Sequence, residues 1–113
     1  VALVGGVNTL VAGIEVANAG LVKDLAFQLN NEIDNLFAVL VANAGGKPNI
    51  TIIMSDVLVK ERGLNAGQLV RDWAKAIRGG GGGQPFFAQA GGSDLSGLEQ
   101  ALDLARNFVA TTF

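Results

Sequence analysis

The sequence predicts a mixed α/β (α+β) domain in which a small sheet of about four strands packs against three helices. The chain has 113 residues, half of them apolar, which is enough for one core. Segments rich in β-branched residues alternate with segments of helical periodicity, in the order strand, helix, strand, strand, helix, strand, helix. That order is typical of a mixed sheet that carries helices. We therefore interpret residues 1–113 as a single domain.

The first half of the chain predicts three strands and one helix. Residues 7–16 are rich in β-branched side chains and predict a strand, which a turn at residues 17–20 ends. Apolar residues then recur at the spacing of an amphipathic helix, at Leu21, Val22, Leu25 and Leu29. Residues 36–42 and 49–54 are continuous apolar runs, which predict a hairpin of two strands that are buried on both faces.

The second half predicts two helices with a short strand between them. A helical turn is expected at residues 57–62, with Asp56 as its cap and Gly63 beyond its end. Asn65 is placed to cap the next helix, whose apolar stripe is Ala66, Leu69, Val70, Trp73, Ala74 and Ile77. This stripe predicts that Trp73 lies in the core. Ser96 and Glu99 have the spacing of a capping box, which predicts that the last helix begins there.

Residues 86–90 predict the short strand between these helices. Phe86 and Phe87 could offer a surface on which a nucleic-acid base stacks. Neighbouring residues of a strand point to opposite faces, however, so at least one of the two should lie in the core. We expect this to be Phe87.

The composition excludes several classes of function. The chain has no Cys and no His, and its carboxylates form no recurring pair, which argues against thiol chemistry, a usual zinc site and most catalytic constellations. Its apolar runs are much shorter than the roughly 20 residues of a membrane span, so a soluble domain is expected. It begins at Val1 with no initiator Met, which predicts a piece of a longer protein.

Residues 79–92 are the most distinctive segment, with a run of five glycines at residues 79–83 and two more at Gly91 and Gly92. Glycine lets backbone approach a ligand, and successive exposed N–H groups can form a concave site for phosphate oxygens. We therefore predict a phosphate-facing loop, with a plain flexible surface loop as the alternative. The segment lacks the Lys-Ser/Thr ending of a Walker loop and the spacing of a dinucleotide fingerprint.

Three cations precede the glycines on the polar side of the Trp73 helix. Arg71, Lys75 and Arg78 are spaced i, i+4 and i+7, which predicts one positive stripe that ends at the glycine segment. The alternative is an ordinary solvated face with cations near a helix C-terminus. The net charge is −2, so any contact with nucleic acid must come from a local patch such as this.

The segment from Gly63 to Gly92 resembles the end of bacterial alanyl-tRNA synthetases, the domain called DHHA1. The resemblance covers nearly all of the chain, and its specific part is the glycine run with the tail Ala-Gln-Ala-Gly-Gly at residues 88–92. Many members have a Lys within the glycines and Arg-Pro-Asp-Met after them. In this chain the glycine run is followed by Gln84, Pro85, Phe86 and Phe87. The expected basic contribution therefore shifts to Arg71, Lys75 and Arg78.

The resemblance implies a cytoplasmic domain that binds the outer corner of tRNA(Ala) for aminoacylation and editing domains upstream in the same chain. Catalytic residues, ATP, Mg and Zn are expected only in that parent protein. The candidate tRNA-binding residues are Arg71, Lys75, Arg78, Gly79, Gly80, Gly81, Gly82, Gly83, Gln84, Gln89, Gly91 and Gly92.

Two alternatives remain open at this point. The same domain type ends the DHH phosphoesterases, which cleave short RNA or single-stranded DNA and usually carry a His after the glycines. The absence of His from this chain favours the synthetase. The other alternative is an assembly module, because members of the family also form homodimers through this region and an upstream helical arm.

Overall fold

A six-stranded mixed sheet forms the centre of the molecule, which a computed structural model describes over residues 1–113. The strands are β1 (Ala2–Val4), β2 (Val7–Val16), β3 (Leu36–Ala44), β4 (Lys47–Met54), β5 (Gly80–Gly83) and β6 (Phe87–Gly91). The helices are α1 (Ala19–Glu32), α2 (Asp56–Arg62), α3 (Ala66–Trp73) and α4 (Leu98–Thr112). The strand order is β1-β2-β3-β4-β6-β5, in which only β2 and β3 are parallel. The predicted mixed sheet with helices is therefore confirmed.

The hairpin of β3 and β4 lies between two hydrophobic cores. The larger core lies under α3 and α4 and contains Phe37, Val39, Ile52 and Trp73, while the smaller one lies under α1. Residues 36–42 and 48–54 are buried throughout, as their continuous apolarity predicts. Trp73 is 7% exposed, and its ring lies 5.7 Å from the ring of Phe108, so the prediction that it belongs to the core is confirmed.

Two strands beyond the expected four lie at the edges of the sheet. β1 pairs with β2 through a turn at Gly5 and Gly6, and its three residues are too few for a periodicity to be seen. β5 consists only of glycines, which have a poor intrinsic preference for strands. The predicted loop at residues 79–83 is therefore wrong for Gly80–Gly83, which form an edge strand hydrogen-bonded to β6.

The helix ends confirm some of the predicted caps and correct others. Asn65 accepts a hydrogen bond from the N–H of Gln68 at 3.1 Å, and Gly63 ends α2 at a φ of 65°, both as expected. Asp56 is the first residue of α2 and not its cap, because Ser55 occupies that position. The expected helical turn is a helix of seven residues, which raises the number of α-helices from three to four.

The capping box expected at Ser96 is not formed. Asp94 accepts from the N–H of Ser96 at 3.0 Å, and residues 95–97 form a 3₁₀ turn before α4 begins at Leu98. The side chain of Ser96 donates to the same carboxylate. Gly97 occupies the cap position of α4, so Ser96 lies one residue before it and the predicted box is out of register.

Candidate nucleic-acid interface

The cations expected on one helical stripe lie on three successive segments, with Arg71 on α3, Lys75 on a 3₁₀ turn and Arg78 after it. α3 ends at Trp73, residues 74–77 form a 3₁₀ turn, and Arg78 follows in the left-handed conformation at a φ of 51°. The N–H of Arg78 donates to the carbonyl of Lys75, and that of Gly79 to the carbonyl of Ala74. The continuous helical stripe predicted from the spacing is therefore wrong at Arg78, because its left-handed backbone turns the chain away from the helix axis.

All three cations are exposed. The side chain of Arg78 is 80% exposed, and its Nε lies 3.9 Å from the Oδ2 of Asp94. The pKa of Asp94 is held below its ordinary value, first by the hydroxyl of Ser96, then by the backbone N–H of Ser96 and last by the charge of Arg78. The ion pair is at the limit of contact and open to water, so Arg78 stays available to another anion.

The glycines of β5 divide into two groups by what surrounds them. A Cβ at Gly81 would meet the carbonyl oxygen of Gln89 and would lie 2.5 Å from the Cα of Ala90, while a Cβ at Gly83 would lie 2.8 Å from the Cα of Ala88. Gly80 and Gly82 have open space at the same position. Glycine is therefore required at Gly81 and Gly83 by the close approach of β5 to β6.

The turn between β5 and β6 is held to the start of α3. The N–H of Gln84 donates to the carbonyl of Phe87 at 2.8 Å, and the N–H of Ala66 donates to the carbonyl of Pro85 at 2.8 Å. Gln84 itself is exposed. Phe87 is partly buried, as expected, with its ring 4.8 Å from that of Phe27, and the Nζ of Lys23 lies 5.9 Å from its centroid.

Gln89 is partly buried and connects three elements. Its Nε2 donates to the Oγ1 of Thr51 on β4 at 3.0 Å and to the carbonyl of Ala19 at the start of α1 at 3.2 Å. Both hydrogens of its amide nitrogen are therefore used within the chain. Thr51 is fully buried and donates in turn to the Oδ1 of Asn49 at 2.7 Å.

Gly91 and Gly92, at the end of β6, lie beside Arg78 in an open cleft of about 540 Å³. Residues 17–19, which lead into α1, and the turn between β3 and β4 form its other walls. The lining residues are Ala17, Asn18, Ala19, Ala44, Gly45, Lys47, Pro48, Asn49, Arg78, Gly91, Gly92 and Ser93. The sequence interpretation missed Lys47, Asn49 and Asn18, because a Lys and two Asn residues in turns are ordinary when viewed one at a time.

No group of three or more carboxylates, His or Cys lies close enough together to hold a metal ion. None of the helices combines the length and the apolar character that a bilayer crossing requires.

Comparison with known proteins agrees with the fold and with the glycine motif. The family model of the DHHA1 domain matches residues 6–111. The alanine–tRNA ligase of Christiangramia forsetii is 50% identical over 106 residues, and that of Cytophaga hutchinsonii is 42% identical over 106 residues. Each match covers 94% of this chain and 12% of the relative, so the chain spans a small part of the length of these ligases.

A solved structure shows the same fold. The C-Ala domain of alanyl-tRNA synthetase from Aquifex aeolicus superimposes with a TM-score of 0.80 at 24% identity, and the match covers 95% of both chains. The resemblance drawn from the glycine segment is thereby confirmed, and the chain belongs to the DHHA1 domain family.

Proposed function

We propose that this chain is the C-terminal tRNA-binding domain of an alanine–tRNA ligase, a cytoplasmic enzyme whose aminoacylation and editing are carried out by other parts of the protein. Sequence identity of 50% to such a ligase over 94% of the chain supports the assignment. The domain then holds the outer corner of tRNA(Ala) and forms neither alanyl-adenylate nor alanyl-tRNA by itself. ATP, Mg and Zn belong to the rest of the ligase.

The observation that carries this proposal is the meeting of Arg78 with Gly91 and Gly92 in one cleft. The sequence interpretation selected these residues for separate reasons, as a cation and as the tail of the specific motif. Arg71 and Lys75 add positive charge on the exposed side of the preceding helix and turn. Cations next to the open backbone of Gly91 suit a phosphate chain, because phosphate contacts position an RNA without reading its bases.

The direct test is a filter-binding titration with folded tRNA(Ala) and with the same RNA after heat unfolding. We expect saturable binding with a preference for the folded RNA, because an outer corner exists only in the folded molecule. Equal affinity for both forms would show that the chain attracts nucleic acid without recognising tRNA. Binding to neither form would exclude the proposed function. Tighter binding of a short single-stranded RNA than of folded tRNA would favour the phosphoesterase alternative.

An apolar surface at β1 favours a second function, assembly with another copy of the chain. Leu3 and Val1 are 72% and 68% exposed, and Val1 also lines an open hollow whose nine residues include seven hydrophobic ones. β1 is also an edge strand, whose unpaired backbone groups can extend a sheet. Sedimentation velocity of the parent and of Leu3→Lys tests this. A dimer that the substitution dissociates would support assembly, and a monomeric parent at high concentration would exclude it.

A further inference from the structure

Asn49 is a buried amide with an unused donor at the cleft beside Arg78. The residue is 5% exposed, and its Oδ1 accepts from Thr51, but its Nδ2 donates to no group of the chain. No side-chain nitrogen or oxygen is fully enclosed without a partner, so this nitrogen reaches the surface of the cleft. Because this N–H group is open to solvent at the cleft, an acceptor oxygen of a ligand can take the place of water there.

The orientation of this amide is set by its neighbours. Thr51 accepts a hydrogen bond from Gln89, so its single hydroxyl hydrogen is available to Asn49. The hydroxyl of Thr51 donates to the oxygen of the Asn49 amide, so the amino group is the part of this amide that has no partner within the chain. Gln89 is in turn tied to the carbonyl of Ala19, so the start of α1, β6 and β4 together hold the donor in place.

The charge around the donor is positive. Lys47 and Arg78 line the cleft from different segments, and no Asp or Glu lines it, in a chain whose net charge is −2. Asn18, the N-cap of α1, lies in the same wall, and the N-terminal end of a helix carries a partial positive charge. Gly91 leaves open space where a side chain would stand, so a ligand can reach the backbone there.

We propose that Lys47, Asn49 and Arg78 form a binding site for one phosphate group. A phosphate presents several acceptor oxygens and negative charge, which match an amide donor and two cations that line the same cleft. Resting on the proposed function, we assign this phosphate to the backbone of tRNA. Gln89 acts as a positioning residue, because its hydrogen bond to Thr51 fixes the amide of Asn49.

The first experiment uses inorganic phosphate as the probe. Heteronuclear NMR of the labelled chain follows the side-chain amide of Asn49 and the backbone amides of Gly91 and Gly92, against chloride of equal ionic strength. We expect saturable shifts at these groups, and Lys47→Met should weaken binding by roughly tenfold through loss of one charge-assisted contact. The matched control is Lys60→Met, which removes an exposed cation on α2 and should change nothing.

Asn49→Asp tests the donor itself, because it keeps the oxygen that Thr51 needs and replaces the amino group by a repelling oxygen. Loss of phosphate binding with an unchanged Tm supports the site. If this variant does not fold, the effect of Lys47→Met on phosphate binding tests the site without it. Shifts that do not saturate, or equal weakening by Lys60→Met, would overturn the proposal.

The second experiment titrates the same variants with tRNA. Weaker tRNA binding by Lys47→Met, with no effect of Lys60→Met, assigns the phosphate to RNA. If tRNA binds the variants as it binds the parent while phosphate binding is lost, the site takes a free phosphate or phosphomonoester and the assignment to RNA is overturned. If the parent binds phosphate and no tRNA, the proposed function fails and the phosphate site stands.

Discussion

Gln89 and Thr51 face each other across β6 and β4, and the Nε2 of Gln89 donates to the Oγ1 of Thr51 at 3.0 Å. The bond joins the tail of the glycine motif, at residues 88–92, to the fully buried hydroxyl of Thr51 on β4. Because the same amide also donates to Ala19, Gln89 connects the sheet to the start of α1.

Replacing Gln89 by Ala should destabilise the domain by about 1–3 kcal/mol, because two acceptors would lose their donor in a partly buried place. Urea unfolding monitored by circular dichroism measures this change in the free energy of unfolding. Gln84→Ala is the control, since Gln84 is exposed and the substitution should change stability little. Equal stability of both variants would mean that the Gln89 network has no structural role.

Alanine at Gly81 and at Gly82 should give opposite results. Gly81→Ala places a methyl group against the backbone of Gln89 and Ala90, so it should destabilise by about 1–3 kcal/mol. Gly82→Ala enters open space and should be almost neutral. Thermal unfolding distinguishes the two. If Gly82→Ala binds tRNA as tightly as the parent, RNA binding does not require the absence of a side chain at this position.

Arg78→Gly should separate stability from binding. A non-glycine residue in the left-handed region costs about 1–2 kcal/mol, so glycine should hold or raise the Tm. The substitution also removes a cation from the cleft, so phosphate and tRNA binding should weaken. A variant that is more stable and binds tRNA as tightly as the parent would remove Arg78 from the interface.

The salt dependence of tRNA binding should report how many phosphates are neutralised. Contacts from Arg71, Lys75 and Arg78 predict that log affinity falls with log salt at a slope of roughly −2 to −3, to which Lys47 would add almost one more. Replacing Lys75 and Arg78 together by Glu should reduce the slope by about two and weaken all tRNAs alike. An unchanged slope would mean that these side chains are only solvated surface.

The pH dependence of stability should contain a contribution from Asp94. Its pKa in the folded chain is lowered from 3.8, so the stabilisation is present above that value and is lost as pH falls through the lower folded pKa. Asp94→Asn retains an oxygen for Ser96 and should flatten this acid limb of the stability curve. The same variant should bind phosphate more tightly at neutral pH, because it leaves Arg78 unpaired. Parallel acid unfolding of both proteins would contradict the assignment.

The regular elements with long apolar patterns could be predicted from the sequence because their periodicity is a direct consequence of burial. The strand at Val7–Val16, the buried hairpin and the helix capped by Asn65 are found at or near their predicted positions. Trp73 lies in the core for the same reason, since it is one member of a continuous apolar stripe. The glycine motif also identified the family.

The tertiary structure alone decided what the glycines and the polar residues do. Glycine has no intrinsic preference that predicts a strand, so β5 could not be predicted from its residues. It forms by pairing with β6, which lies so close that a Cβ at Gly81 is excluded. Arg78 has a left-handed backbone conformation, so it does not continue the helical stripe and lines the cleft instead. Lys47 and Asn49 meet Arg78 only because β4 pairs with β6, which brings residues far apart in sequence to one end of the sheet. No local pattern encodes such a meeting, since it depends on strand register and not on neighbours in sequence.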